Sequence, residues 1–240
     1  MRIAVMSDVH GFSLALRTVL AGLATLPPVD EVVVAGDLCR VGPASDEVVA
    51  ALREWTSPTP LTVLIGNADQ IVIDRARERE SSPDRVVRQL GEDGIAYLAS
   101  LPFERRITPP GGDSPDDDLL VVHANPHDLN RKLEPEMTDG ELREVIGETR
   151  AAVIAFGHHH VSYVRPLGET TLVDVSAVGN PKDGDLSCRY TIVTWDESTK
   201  HWGIEQRRLP YPVEETAAQI RASDLPDPED TLRTLLRASY

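Results

Sequence analysis

The sequence is poor in positive charge, in aromatic side chains, in cysteine and in long apolar runs. Its 240 residues carry 24 lysines and arginines against 39 aspartates and glutamates, a formal charge of −15. That balance argues against a protein whose main work is gripping extended nucleic acid or an anionic membrane, because such binding is driven by basic patches that release counterions. Aromatic residues make up 5% of the chain, too few for a groove of stacked bases. Two cysteines, Cys39 and Cys188, cannot frame a disulfide scaffold and fit a reducing compartment. No uninterrupted apolar run approaches the ~20 residues of a membrane-spanning helix, and the N-terminus reads at once as a strand. These absences predict a cytoplasmic protein without membrane association.

What the chain does have is enough apolar content, 41%, for a sizeable core, since a chain of this length buries roughly 70 to 75% of its unfolded surface. Short runs rich in β-branched residues fall at 2–6, 31–35, 61–65, 119–122 and 151–156 and read as buried strands. Between the first three lie segments of helical spacing at 13–26 and 45–55, with Val48, Val49, Leu52 and Trp55 on one face. This β-α-β-α-β opening predicts an α/β fold with parallel strands and right-handed crossovers, and such sheets collect functional groups in loops at the carboxyl ends of strands. A charged helix is expected at 84–100, interrupted by Gly91 and Gly94, and another at 138–148 behind a capping box of Thr138 and Glu141. From 161 onward the period becomes that of strands, at 161–165, 171–175, 189–195 and 202–209. The acidic Gly/Pro-rich stretch 109–118 reads as a solvated loop. We expect one domain over 1–210, with 211–240 an acidic tail and a short helix around 231–238 packed on it.

Six of the seven histidines stand at, or a few residues past, the carboxyl end of an expected strand. Asp8 and His10 follow the first strand, Asp37 the second, Asn67 the third, His123 the fourth, and His158 and His160 the fifth. Singly these are weak signals: Gly36-Asp37 and Gly66-Asn67 are common turn dipeptides, and a lone His123 is more often a satisfied core imidazole. The Asp-x-His and His-x-His pairs are stronger, because residues i and i+2 of an extended chain project to one side. Two carboxylates, one amide oxygen and four imidazoles are too many donors for one ion that must keep an open position. Two ions sharing a bridging carboxylate fit, and the mixed O/N set suits Mn, Fe, Zn, Co or Ni better than Ca.

The order Asp8-x-His10, Gly36-Asp37, Gly66-Asn67, His123, Gly157-His158-x-His160 resembles the calcineurin-like metallophosphoesterase superfamily. The run 176–185 resembles the loop that follows in its smaller bacterial phosphodiesterase and phosphatase members, extending the likeness to about residue 195. The resemblance implies a two-sheet β-sandwich flanked by helices, with the site on loops at one end. It implies Asp8, His10, Asp37 and His160 on one divalent ion and Asp37, Asn67, His123 and His158 on the other, manganese being favoured, with Asp37, Asn67 and His123 at the chemistry. The activity implied is hydrolysis of a small or nucleotide-like phosphoester, as a phosphodiesterase. The alternatives are a phosphomonoesterase, including a protein phosphatase-like one, or a scaffold that binds metal without catalysis.

Two departures from the family pattern matter. Where many members have His after Gly-Asn, positioned to protonate the leaving oxygen, this chain has Ala68. Such help is typically worth ~10² to 10⁴ in rate, so acidic leaving groups should suffer least. The arginine that holds phosphate in the protein phosphatase branch stands one place early here, as Arg40, which lowers the phosphoprotein reading. Arg40 and His127 are the candidate substrate contacts. His159 is expected to point away from its neighbours, Lys182 and Arg189 are basic side chains that could attract phosphate, and Cys39 reads as a buried inert thiol.

Overall fold

The valine-rich runs become strands, and their two-residue period assigns each face. In β1 (Arg2–Met6), Ala4 and Met6 turn toward a layer of helices, while Ile3 and Val5 turn toward a second sheet. The same alternation separates Val32 and Val34 from Val33 in β2 (Glu31–Val34), and Leu119 and Val121 from Leu120 and Val122 in β5 (Leu119–Val122). Each such side chain taken from water contributes about 1.5–3 kcal/mol, so a one-residue slip of register would be prohibitive.

The structure, a computed structural model, describes residues 1–78 and 84–240. Between β1 and β2 lies α1 (Ser13–Leu23), and between β2 and β3 (Leu61–Val63) lies α2 (Ser45–Arg53). Helices α3 (Asn67–Arg77) and α4 (Arg85–Ala99) follow, then β4 (Glu104–Ile107), β5, α5 (Asp139–Ile146) and β6 (Val153–Phe156). The second half adds β7 (Tyr163–Leu167), β8 (Thr170–Asp174), β9 (Ser187–Asp196) and β10 (His201–Pro210), then α6 (Val213–Ala222) and α7 (Pro228–Arg237). The strands form two five-stranded sheets, ordered β10-β9-β1-β2-β3 and β4-β5-β6-β8-β7. Their centres are parallel, β1 with β2 and β3, and β5 with β6 and β8; β9, β10, β4 and β7 run antiparallel.

The expected two-sheet sandwich flanked by helices is therefore the fold. One core lies between the sheets, one beneath the helices on the β1 sheet, and one beneath α5 on the other. The parallel strands all end at the same edge of the sandwich, which brings the loops after β1, β2, β3, β5 and β6 together.

Several expectations change. The chain after the third strand, to which the sequence assigned no element, is helix α3 as far as Arg77, and 79–83 lie outside the described residues. In α4 the break falls at Gly91, with φ 60° and ψ −173°, while Gly94 stays helical and packs on Leu90. The 109–118 loop contains one 3₁₀ turn, Pro115–Asp117, and its carbonyls anchor both Trp195 and Trp202 by their indole N–H groups, from Pro110 and Asp117. The tail carries two helices instead of one. Ala217 and Ile220 of α6 and Leu232 and Leu235 of α7 lie in the same core as α1 and α2. Among the described residues no helix is long and apolar enough to cross a membrane.

Candidate metal centre

The loops meet because their backbones bond to one another. The N–H groups of Asp8, His10 and Gly11 donate to the carbonyls of Gly36, Asp37 and Leu38 at 3.1, 2.9 and 2.8 Å, which zips the first motif to the second. In the second sheet, the N–H of Gly157 after β6 donates to the His123 carbonyl after β5 at 2.9 Å, and the N–H of Gly179, between β8 and β9, reaches the Asp8 carbonyl of the first sheet's loop at 3.0 Å. Two glycines are obligatory here. A Cβ at Gly66 would strike Asp37, and one at Gly157 would strike the Asp8 carboxylate and the Ser7 hydroxyl.

Two clusters result. Asp8, His10 and His160 bring one ligand atom each within 4.8 Å of one another, and so do Asp37, His123 and His158. In the first, His160 Nε2 lies 3.1 Å from Asp8 Oδ1 and 3.1 Å from His10 Nε2. In the second, Asn67 Oδ1 lies 2.9 Å from His123 Nε2. Asp37 links them: Oδ2 is 3.5 Å from His10 Nε2 and Oδ1 is 3.4 Å from His123 Nε2. All seven expected ligands are thus brought together, in the two groups the family likeness implied. His127 is not. Its Nε2 meets the Ile146 carbonyl at 3.0 Å, at the C-terminus of α5.

The route to convergence differs from the extended pairs expected. Asp8, His10, Asp37, His158 and His160 all have left-handed backbone, φ 51° to 67°. Non-glycine residues in this region carry strain, and such strain concentrates at functional sites. Tight left-handed turns aim these side chains inward, while His159 between two of them turns aside to Tyr240.

The ring nitrogens fit cations. His10, His123 and His160 place Nδ1 against the carbonyls of Cys39, Ala35 and Asn180 at 3.2, 2.8 and 2.6 Å. Donating Nδ1–H there leaves the Nε2 lone pairs facing the cluster. His158 is reversed: Nε2 faces the Asn130 carbonyl at 2.8 Å, which leaves Nδ1 inward. Histidines held this way by carbonyls are the ordinary arrangement at metal sites. Lone pairs aimed at one another and at buried carboxylates repel unless a positive ion lies between them, and Asp8 Oδ1 is buried without a hydrogen-bond donor.

The electrostatics agree. Burial alone would raise Asp8, but the imidazoles of His160, His123 and His10 together hold it far below the usual carboxylate range. Its Oδ2 accepts from the His158 N–H at 2.9 Å, and Asp37 Oδ1 accepts from the Ala68 N–H at 2.7 Å, at the positive end of α3. Burial pushes His10 and His158 down, favouring the neutral rings that ligate metals. His123 is also buried, yet Asp37 and Asp8 pull it above its ordinary value.

Sequence reasoning missed Asp69. Fully buried, it accepts from the N–H groups of Leu38 at 3.0 Å, Cys39 at 3.1 Å and Gly66 at 3.1 Å, bolting the Asp37 loop to the Asn67 helix. Burial and then the Asp37 charge push its carboxyl up to about 7. Its signal was an acid at the third position of a helix that opens Gly-Asn, where a carboxylate caps. Cys39 is the buried free thiol expected, raised by burial and by Asp69. Arg40 also has left-handed backbone, φ 73°, and donates its N–H to Ser45 Oγ at 3.1 Å.

Among solved structures, a metallophosphoesterase from Sphaerobacter thermophilus matches 99% of this chain and 99% of its own, with 25% identity and a TM-score of 0.73. A hypothetical protein of Pyrococcus horikoshii OT3 matches 99% of this chain and 98% of its own, at 16% identity and a TM-score of 0.79, a likeness of fold. Among curated proteins none matches the sequence. The model of the calcineurin-like phosphoesterase superfamily domain matches residues 1–198, which carry both clusters and strands β1 to β9. The chain belongs to that superfamily.

Proposed function

We propose that the protein is a phosphodiesterase acting on a small or nucleotide-like substrate at a pair of divalent ions, manganese by preference, held by Asp8, His10, Asp37, Asn67, His123, His158 and His160. The observation that carries this is the sharing of Asp37, whose two oxygens face separate clusters of inward lone pairs. When bound, two such ions activate a water and neutralise charge that builds on the phosphoryl oxygens. Asp37 and Asn67 fix the spacing of the two clusters, Asp37 on the zipped loop and Asn67 in the first turn of α3. The carbonyls of Cys39, Ala35, Asn180 and Asn130 hold the four rings in one tautomer each. Residues 1–210 form the catalytic domain, and 211–240 are part of its packing.

No side chain at position 68 protonates the departing oxygen, since Ala68 is nearly sealed and offers its N–H to Asp37. A leaving group stable as an anion suits such a site. Arg40, whose guanidinium makes no side-chain hydrogen bond or ion pair among the described residues, is available to a phosphate at the site's edge.

Bis-nitrophenyl and mono-nitrophenyl phosphates assayed with Mn, Ni and Zn in turn test the reading. It expects metal-dependent cleavage with the diester preferred. Preference for the monoester would make the enzyme a phosphomonoesterase, and no cleavage with any metal would leave a metal-binding scaffold. Ala68→His should raise turnover on poor leaving groups; no gain would mean that another donor already serves.

A further inference from the structure

The edge of a β-sheet is a row of unpaired N–H and C=O groups, and proteins blunt it by keeping the strand short, by proline or by a bulge. Three of the four sheet edges here follow that rule. β3 has three residues, β4 has four, and β7 has five with Pro166 among them. β10 does not follow it. It is ten residues long, holds no proline before its last residue, and pairs with β9 without a bulge, from His201 opposite Asp196 to Pro210 opposite Ser187. Among the described residues no strand lies beyond it.

The pairing of β9 decides which backbone groups of β10 stay free. The Trp195 N–H donates to the Met1 carbonyl at 2.8 Å, so the odd-numbered residues of β9 bond to β1 and the even-numbered ones to β10. Their partners in β10 are His201, Gly203, Glu205, Arg207 and Leu209, which turns the N–H and C=O groups of Trp202, Ile204, Gln206 and Arg208 outward. Among the described residues no hydrogen bond reaches these outward groups. Gly203, Glu205, Gln206 and Arg208 are all exposed.

Charges that guard an edge are commonly of one sign, so that an identical strand is repelled. The charges of β10 complement themselves instead. Glu205 and Arg207 lie two residues apart on one face, with Arg207 Nη2 2.6 Å from Glu205 Oε1. An antiparallel copy centred on Gln206 sets Glu205 opposite the copy's Arg207, Arg207 opposite its Glu205, and Ile204 opposite its Arg208. Outward backbone groups then meet outward backbone groups, and the two Glu–Arg pairs fall at non-hydrogen-bonded positions, where facing side chains come closest. The aliphatic stem of Arg208 covers Ile204. Centring on Glu205 or on Arg207 would oppose like charges. We propose that β10 is a dimer interface: two copies join edge to edge through antiparallel β10 strands about a two-fold axis at Gln206, and their five-stranded sheets become one.

Sedimentation velocity of the full chain in manganese-containing buffer tests this. The wild type should sediment as a dimer at about 100 μM and dissociate on dilution. Glu205→Arg and Arg207→Glu should each raise the dimer Kd about tenfold or more, because the two-fold axis applies each reversal twice. Mixing these two variants should restore a dimer with one chain of each, and both substitutions in one chain should restore the homodimer. Arg53→Glu makes the same charge change on α2, which joins β2 to β3 at the other end of the sheet, and should leave Kd as in the wild type. A wild type still monomeric at about 100 μM, its edge bare or open to another protein's strand, overturns the proposal. So do a dimer indifferent to both reversals, an equal weakening by Arg53→Glu, and a mixture of the two reversed variants that stays monomeric.

Discussion

Between the sheets, Ile3, Val5, Val33, Leu119, Val121, Val153 and Val193 are sealed from water and carry no polar side-chain atom. At the ends of the same strands, Asp8, Asp37, His10 and His123 are sealed almost as completely and consist of little else. The first set contributes stability wherever it is buried, because apolar surface needs no partner. The second costs stability until its charges and lone pairs meet something. The fold thus makes its own cohesion with one half of each strand, and holds a binding site under strain with the loop that follows.

The sharpest way to break this contrast is substitution at the rim. Asp37→Asn and His123→Ala should each lower metal-dependent turnover about a thousandfold or more, the scale of losing an ion that stabilises the transition state by several kcal/mol. The metal-free Asp37→Asn protein should melt at or above the wild-type temperature, since a buried charge has gone, whereas metal-free His123→Ala should melt lower, because the sealed ring leaves a cavity. Full turnover in both variants would refute the site. Leu119→Ala should do the reverse, costing about 2–5 kcal/mol in urea unfolding while kcat per folded molecule stays as it was.

How much of this was legible depended on how local the cause was. The strands showed in the sequence because runs such as 31–34 and 119–122 are almost wholly β-branched or leucine, and the ligands showed because each follows such a run. Helix α6 did not, because its buried face is Thr216, Ala217 and Ile220, with too little apolar bulk to mark a period. Nor did the left-handed backbone at Asp8, His10, His158 and His160, because only contacts between loops far apart in sequence hold it there. Asp69 and Tyr240 belong to the same class: each acts on residues that the chain order keeps distant, Leu38 and His159.

Smaller effects sharpen the contrast further. Manganese at about a hundred times its Kd should stabilise the wild type by about 2.7 kcal/mol, relieving the repulsion at the rim, and should stabilise Asp8→Asn less. Thermal unfolding across a manganese titration measures both, and equal shifts would contradict the account.

Asp174, at the end of β8, is a third kind of burial: Oδ1 accepts from the Ser176 N–H, and Oδ2 has no hydrogen-bond partner. Burial raises its carboxyl well above 3.8. The folded protein therefore keeps a proton that the unfolded chain releases above that pH, and stability falls as pH rises from there until the folded carboxyl also ionises. Asp174→Asn removes this dependence. It should gain about 1 kcal/mol or more over the wild type at pH 8, with the gain shrinking toward pH 4, as read from urea midpoints. A gain equal at both pH values would contradict the assignment.

The central claim is that one carboxylate, Asp37, stands between two ions. Anomalous diffraction from a crystal grown with manganese tests it most directly. The account predicts two peaks about 3.5–4 Å apart with Asp37 between them, Asp8, His10 and His160 around one and Asn67, His123 and His158 around the other. A single peak, or none among these seven side chains, would contradict it.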